Sequence, residues 1–475
     1  MPATLTPIAN LRRPLLPFFN YRTLAALLVM SFVIWQVSYP LLSHEDAMRY
    51  CYLLMLVQLT PLVIALTRRH FTYMSLIMLN HFLTLTLNKY NLLSTDPNIL
   101  VEFPELISSL KEQIFCSVLM ILVYGAFRIF LFQGMAEKER FQELVLNRRQ
   151  LLYLISYIAI VPLFIYSLPS GFLIIHFLLM GADMIMLFSA ESPGNEILMW
   201  VFKGLAIVLA YRYFLETGML TMMGTICLLF FFIGSLKRSR SMLALALLFT
   251  VVTAMIQSVK ADFRTTIREN LEMPMMDRNA AVSDLLGAKY FASDPSIGTS
   301  SATWADRWDS IVAGFGRAGD DSMERVLALT PSKVPFWGGE TYASLPFMFI
   351  PRFLWPDKPT RHFWNKYGRV YGVLSEDDYQ TSVGVSYLAV GYMNFGYPGM
   401  YAVALLVAFI IAIVERLSFV VMRGNFYFSF LVYMIPLMPP ATDLGSMLNS
   451  LFVLFGVTVV LRPYLLRMAQ RDDYS

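Results

Sequence analysis

The chain has 475 residues, of which 57% are hydrophobic and 15% charged, with a mean hydropathy of +0.57 and a formal net charge of +4. A charged fraction well below the roughly one quarter typical of soluble domains excludes a water-soluble globular protein and implies an integral membrane protein. Lys and Arg fall largely between apolar runs, and no basic stripe is interleaved with aromatics. The positive balance therefore points to orientation in a membrane, with no nucleic-acid partner.

A bilayer crossing takes about 20 apolar residues, and windows of that length predict helices near 23–43, 49–66, 70–88, 114–133, 151–168, 171–190, 197–216, 218–235, 241–260, 387–415, 425–440 and 445–463. That makes an all-α polytopic protein of about twelve transmembrane helices. The first run, Thr23 to Leu42, follows Arg12, Arg13 and Arg22 and reads as a retained signal anchor. Asn88 to Gln113 is a loop broken at Asp96-Pro97 and Pro104, with a short amphipathic stretch from Leu106 to Gln113. Met135 to Gln150, rich in Glu, Arg and Leu, reads as a helix lying at the interface. Cys51, Cys116 and Cys227 each lie in an apolar run and behave there as small apolar residues.

Basic residues in short loops stay cytoplasmic. Arg68-Arg69, Lys138 to Arg149, Lys237 to Arg240, Arg416 with Arg423, and the C-terminal Arg462, Arg467 and Arg471 share one side with the N-terminal arginines if the span count is even. Both termini then lie in the cytoplasm, and the long polar interval after Lys260 faces outward. Charges inside spans need partners. Asp183 and Lys203 lie at similar depth and suggest an ion pair, Arg128 is close enough to a helix end to snorkel, and Arg212 is expected near the outer side.

Three regions follow: helices over 1–260, an extracytoplasmic loop over 261–385, and helices over 386–475. Within the loop, helices are expected near 278–292, 303–315 and 320–329, the last capped by Asp320 or Asp321. From Pro331 to Pro359 the prolines and Gly338-Gly339 prevent a long helix, although Tyr342 to Ile350 suits a short apolar one at the membrane surface.

No phosphate-binding loop, dinucleotide fingerprint, H-E-x-x-H, C-x-x-C or G-x-S-x-G occurs. His44, His70, His81, His176 and His362 are scattered, so no metal site and no cofactor is expected. The loop instead offers cations. Arg264 and Arg268, four apart, share a face if the preceding helix continues outward. Arg352, Lys358, Arg361, Lys366 and Arg369 lie among Trp355, Trp364, Tyr367 and Tyr371. Guanidinium groups bind phosphate oxygens in a bidentate way, and aromatic rings suit the apolar face of a sugar, so the set fits an anionic lipid-linked glycan. The plainer reading is a ring of cations at lipid phosphate with an interfacial aromatic belt. Carboxylates able to take a proton from a sugar hydroxyl are Asp262, Glu269, Glu340 and Asp357; Glu340 follows Gly338-Gly339, where the backbone can approach a ligand closely.

The stretches Thr330-Pro331, Phe336 to Tyr342, Ile350 to Pro359 and Tyr392 to Gly399 resemble the extracytoplasmic loop of bacterial O-antigen and exopolysaccharide repeat-unit polymerases, the Wzy family. The spacing Arg361 to Gly372 fits that family's R-x10-G pattern. The resemblance implies a GT-C-like membrane glycosyltransferase in the bacterial inner membrane, with its active site facing the periplasm. Its reaction is transfer of a glycan from undecaprenyl diphosphate to the non-reducing end of another lipid-linked repeat unit, in lipopolysaccharide or exopolysaccharide biosynthesis. Membrane lipid, a chain-length regulator and a flippase are the implied partners. Carried onto this chain, Arg352 and Arg361 contact the diphosphate or its sugar, Arg264 is a second clamp, and Glu340 is the first candidate base. The expected site is thus Glu340 and Arg352 for catalysis, with Arg264, Arg268, Arg352, Lys358, Arg361, Tyr342 and Trp355 for binding. The alternatives are an O-antigen ligase, which uses the same donor, and a polysaccharide flippase or transporter, against which the large outer insertion and the lack of two similar halves count.

Overall fold

The structure is a computed structural model that describes residues 43–68, 72–95, 98–102, 104–131, 196–218, single positions between 220 and 239, 240–270, 273–291, 322–347, 350, 355, 363–379, 381–421, 443–448 and 451–452. Among these, all regular structure is helical. In chain order the helices are α1 His44–Arg68, α2 Tyr73–His81, α3 Leu87–Thr95, α4 Ile99–Glu102, α5 Leu106–Leu131, α6 Glu196–Thr217, α7 Arg240–Glu269, α8 Met275–Leu286, α9 Ser322–Leu329, α10 Phe363–Val370 and α11 Tyr387–Val421. Five are long and apolar enough to cross a membrane: α1, α5, α6, α7 and α11. They fall on the expected runs 49–66, 114–133, 197–216, 241–260 and 387–415. The expected spans 23–43, 151–168, 171–190 and 425–440, the interface helix 135–150, the helix 303–315, its neighbouring caps Asp320 and Asp321, and Asp183 lie outside the described residues.

Several expectations need correction. The run 70–88 forms α2, a π turn over Phe82–Thr86, and α3, which carries the helix on to Thr95. The π turn aims Thr86 at α1, where its hydroxyl donates to Gln58 Oε1 at 2.6 Å. The loop after Asn88 is therefore mostly helical. The amphipathic stretch from Leu106 is no separate element but the first two turns of α5, because apolar residues bury both parts against the same neighbours. The expected helix Tyr342 to Ile350 is a series of turns ending in a 3₁₀ turn, Leu345–Phe347; Pro346 supplies no N–H for an α-helical ladder there. The three cysteines are buried and unpaired, as their apolar setting implies.

One body of packed helices is built on α5, against which α1, α2, α9 and α11 lie. Buried polar pairs fix its register. Near one end Arg128 Nε meets Glu415 Oε1 at 3.1 Å, the Tyr124 hydroxyl donates to the same carboxylate, and Tyr73 donates to Ser418 at 2.7 Å. Arg128 is thus buried and paired, and it does not snorkel: Glu415 on α11 offers a better partner than lipid phosphate. Near the other end Lys89 pairs with Glu324 of α9, which also accepts from Ser109 at 2.7 Å. A second set of contacts joins α6, α7 and α8. Phe214 packs on Phe263 at 5.1 Å, Arg278 donates to the carbonyls of Leu215 and Glu216, and Tyr211 donates to Asn279.

The largest departure lies in α11. At Gly396 the backbone adopts φ 68°, ψ −155°, and Pro398 follows. Beyond this break a Cβ built on Gly399 would stand 2.4 Å from the Gly391 carbonyl oxygen. In a straight helix, residues eight apart are separated by about 12 Å, so the chain bends sharply and its two halves meet glycine to glycine. The second half runs beside α5, with Tyr401 bonded to Glu112 and Glu415 to Arg128. The first half, 387–395, descends back into the body: Tyr387 reaches His81 Nε2 at 2.8 Å and Met120 Sδ at 3.6 Å. Met120 is eight residues, about 12 Å, from the level of Arg128. Residues 385–394 are all buried. The expected single span 387–415 is therefore a broken helix whose first eight residues, 387–394, lie inside the protein.

Removing one partner of the Arg128–Glu415 pair leaves a buried charge uncompensated. Arg128→Met is expected to lower stability by about 3–5 kcal/mol, and the double variant Arg128→Met/Glu415→Met to recover most of it, as read from thermal unfolding in detergent.

Candidate functional site

A helix broken within a packed body must have its freed backbone groups satisfied by other parts of the protein. Here the turn after Pro335 does so. Trp337 N–H donates to the Met393 carbonyl at 3.1 Å and Gly338 N–H to the Asn394 carbonyl at 3.2 Å. Gly339 N–H donates to Asn394 Oδ1 at 3.0 Å, while Asn394 Nδ2 donates to Thr341 Oγ1 and to the Val390 carbonyl. The side-chain amide of one residue thus holds both segments.

Aromatic rings complete the join in a reciprocal way. A Cβ on Gly339 would lie 2.9 Å from Phe395 Cζ, and one on Gly396 would lie 3.3 Å from Phe336 Cζ. Each segment's phenylalanine covers the other's glycine. Gly339 has φ +92°, so both its backbone and its contact with Phe395 demand glycine. Phe336 and Phe395 remain 44% and 51% exposed, leaving an aromatic surface above the break. Tyr342 stacks on Phe395 at 6.2 Å, and Phe336 meets Tyr392 edge-on at 6.1 Å.

A third segment, α10, adjoins the turn. Lys366 Nζ contacts both Glu340 oxygens, at 2.6 and 2.7 Å, and lies 4.6 Å from the Trp337 ring centroid. Trp337 faces Tyr371, whose hydroxyl is bonded to Thr330 at 2.6 Å. Asn365 donates to the carbonyls of Asp378 and Thr381, closing the loop behind α10. Gly372, with φ +69°, follows the C-terminus of α10, where Val373 and Leu374 N–H groups return to the Gly368 carbonyl. The glycine of the R-x10-G spacing is thus a helix terminator. Trp364 Nε1 donates to Asp443 Oδ2 at 3.1 Å, and Asp443 also accepts from the backbone of Gly445 and Ser446.

The expected site residues fare differently. Glu340 is exposed and ion-paired, on the turn bonded to α11. Tyr342 stands beside it; burial, and then the charge of Asp443, raise its pKa above the ordinary tyrosine value, and its hydroxyl has no hydrogen-bond partner among the described residues. Trp355 is half-buried and meets Phe347 edge-on at 5.7 Å. Arg264 lies on α7, which continues past Lys260 to Glu269, and its aliphatic stem crosses Gly218 at the end of α6. Arg268 is on the same helix, one turn farther. Arg352, Lys358 and Arg361 lie outside the described residues. Arg212, expected near phosphate, pairs with Glu216 at 2.9 Å, and buried Lys203 lies 5.0 Å from the Trp200 ring. No group of three or more His, Cys, Asp or Glu residues suited to a metal occurs among the described residues.

Sequence reasoning missed Lys366 as the partner of Glu340, Asn394 as the clamp, and Asp443. The first two stand inside the quoted motifs or among the noted cations, but nothing local shows what a residue 26 or 55 positions away will bond.

Two outcomes follow. Gly396 occupies a backbone region that is essentially closed to other residues, so Gly396→Ala is expected to cost about 1–3 kcal/mol, measured as a lowered unfolding midpoint. Tyr342→Phe removes a buried hydroxyl without a partner and is expected to raise stability by about 1 kcal/mol at neutral pH. Because the folded tyrosine resists ionisation, its contribution holds below the unfolded value of about 10 and is lost above it. An alkaline unfolding series in Tyr342→Phe should accordingly show a shallower decline than the parent.

Comparison with protein-family models, curated proteins and solved structures gave no match for this chain.

Proposed function

We propose that the protein is a membrane glycosyltransferase that polymerises lipid-linked repeat units, with about twelve spans, a GT-C-like fold, a place in a bacterial inner membrane and a site facing the periplasm. One observation supports this reading above others: the segments that carry the resemblance to Wzy polymerases, Phe336 to Tyr342, Tyr392 to Gly399 and the region around Gly372, are bonded to one another although up to 57 residues separate Trp337 from Asn394. They form a single surface of aromatic rings, one carboxylate and one ammonium group.

In the reaction, an acceptor hydroxyl attacks the anomeric carbon of the donor glycan, the bond from that carbon to the diphosphate oxygen breaks, and the electron pair leaves on the diphosphate. Glu340 takes the hydroxyl proton, with Lys366 balancing its charge beforehand. Trp337, Tyr342 and Phe395 offer ring faces to the sugar. Arg352, Lys358 and Arg361, which flank this surface in sequence, and Arg264 with Arg268 stabilise the negative charge that develops on the leaving diphosphate. The departing diphosphate drives the reaction, so no nucleotide is needed outside the cytoplasm.

Reconstitution with an undecaprenyl-diphosphate-linked repeat unit as sole substrate tests the proposal. A ladder of lengthened glycans, lost in Arg352→Ala and reduced at least about tenfold in Glu340→Gln, is the expected result. Transfer that occurs only after lipid A core is added would establish a ligase, and translocation without bond formation a transporter.

A further inference from the structure

Around the break at Gly396, α11 presents three tyrosines toward the start of α5. Tyr392 and Tyr397 meet edge-on at 5.0 Å, Tyr397 and Tyr401 follow at 6.3 Å, and Phe115 of α5 closes the row against Tyr401 at 4.9 Å. Their spacing along the helix is set by the break: Tyr392 belongs to the first half, Tyr397 and Tyr401 to the second, and only the bend at Gly396 brings all three rings to one side. The row is continuous with the surface described above through Phe336, which meets Tyr392.

A carboxylate stands at the inner end of this row. Glu112 is half-buried, and Tyr401 donates to its Oε2 at 2.8 Å. Among the described residues Oε1 accepts no hydrogen bond. Glu105, the residue just before α5, is within electrostatic reach of Tyr392 and Tyr397. The Glu112 Oε1 oxygen is not sealed from solvent, so a ligand hydroxyl can reach it in place of water, and the rings beside it are partly open: Tyr397 is 42% exposed. Glu112 and Tyr401 have no part in the site above, which the row joins through Tyr392.

The combination selects a ligand by its chemistry. Edge-on aromatic rows offer faces to the apolar C–H surface of a pyranose ring, while a carboxylate oxygen with a fixed orientation accepts from a sugar hydroxyl or amide N–H. Two carboxylates, Glu105 and Glu112, repel an acidic sugar. We propose that this face, where α5 packs on the second half of α11, is a subsite for the accepting glycan: an uncharged sugar lies on Tyr397 and Tyr401, and one of its hydroxyls donates to Glu112 Oε1. The assignment rests on the glycosyl-transfer reading above, to which it adds the place of the acceptor. The subsite holds the acceptor next to Phe336 and the Glu340 turn, with the donor's diphosphate left to the cations.

The experiment uses the full chain in lipid nanodiscs. The probe is the repeat-unit oligosaccharide of cells that carry the protein, released from its lipid by mild acid, and its binding is measured by calorimetry. Wild type is expected to bind, and Glu112→Gln and Tyr397→Ala to weaken binding by about tenfold or more, the loss of one charge-assisted bond or one ring face. Tyr397 is exposed, so its variant keeps the unfolding midpoint of the parent, which is checked on the same sample. Failure of wild type to bind the glycan, or equal binding by wild type and both variants, overturns the subsite. The polymerase reading is judged separately by elongation: wild type that binds the glycan yet never lengthens it removes that reading and leaves the subsite standing, whereas elongation unaffected by variants that also bind normally removes the subsite alone.

Discussion

A helix cannot be broken without freeing carbonyl and N–H groups that need new partners, and this requirement governs the region around Gly396. The Met393 and Asn394 carbonyls, freed by the bend, are taken up by the N–H groups of Trp337 and Gly338. The loop segment is therefore an integral part of the backbone bonding of the helix body, held there by the need of buried polar groups for partners. Glycine is required on both sides of the join because each phenylalanine lies where a side chain would otherwise be. What looks in sequence like a soluble insertion between two spans is, along this line, part of the core.

Two buried ion pairs hold the helices at fixed heights around that join. Arg128–Glu415 matches α5 to the second half of α11 near one end, and Lys89–Glu324 ties the loop helix α9 to the end of α3 at the other. A pair of this kind contributes little net stability over an apolar replacement, but it penalises every register in which one charge stands alone. With both heights set, the bend at Gly396 falls where the Glu340 turn can reach it, and Glu112 falls beside Tyr401.

The helices long and apolar enough to cross a membrane were legible because their signal is local: runs such as 114–133 and 241–260 need only their own apolar residues to be recognised. The bend at 396 was written in Gly396 and Pro398, yet a glycine and a proline also occur within straight membrane helices, and the fold-back becomes decisive only when Gly391 meets Gly399. Arg128 was read as reaching for lipid because Glu415, 287 positions away, gives no local sign of pairing. The same holds within the candidate site. Glu340 and Tyr342 were legible as a carboxylate and a ring beside a flexible Gly-Gly pair, while their engagement by Lys366 and Phe395 depended on chain segments that meet only in the folded state.

The separation between partners also orders the protein's assembly. A ribosome delivers α5 to the membrane long before Glu415 exists, so Arg128 and Tyr124 enter as part of a helix whose apolar residues alone must retain it. The Phe336 turn has nothing to bond until Met393 and Asn394 emerge, and the Trp364 indole waits longer still for Asp443. These contacts thus belong to the later part of synthesis: a nascent chain released before Met393 would carry the turn's backbone donors unspent, and one released before Asp443 would still lack the partner of the Trp364 side chain.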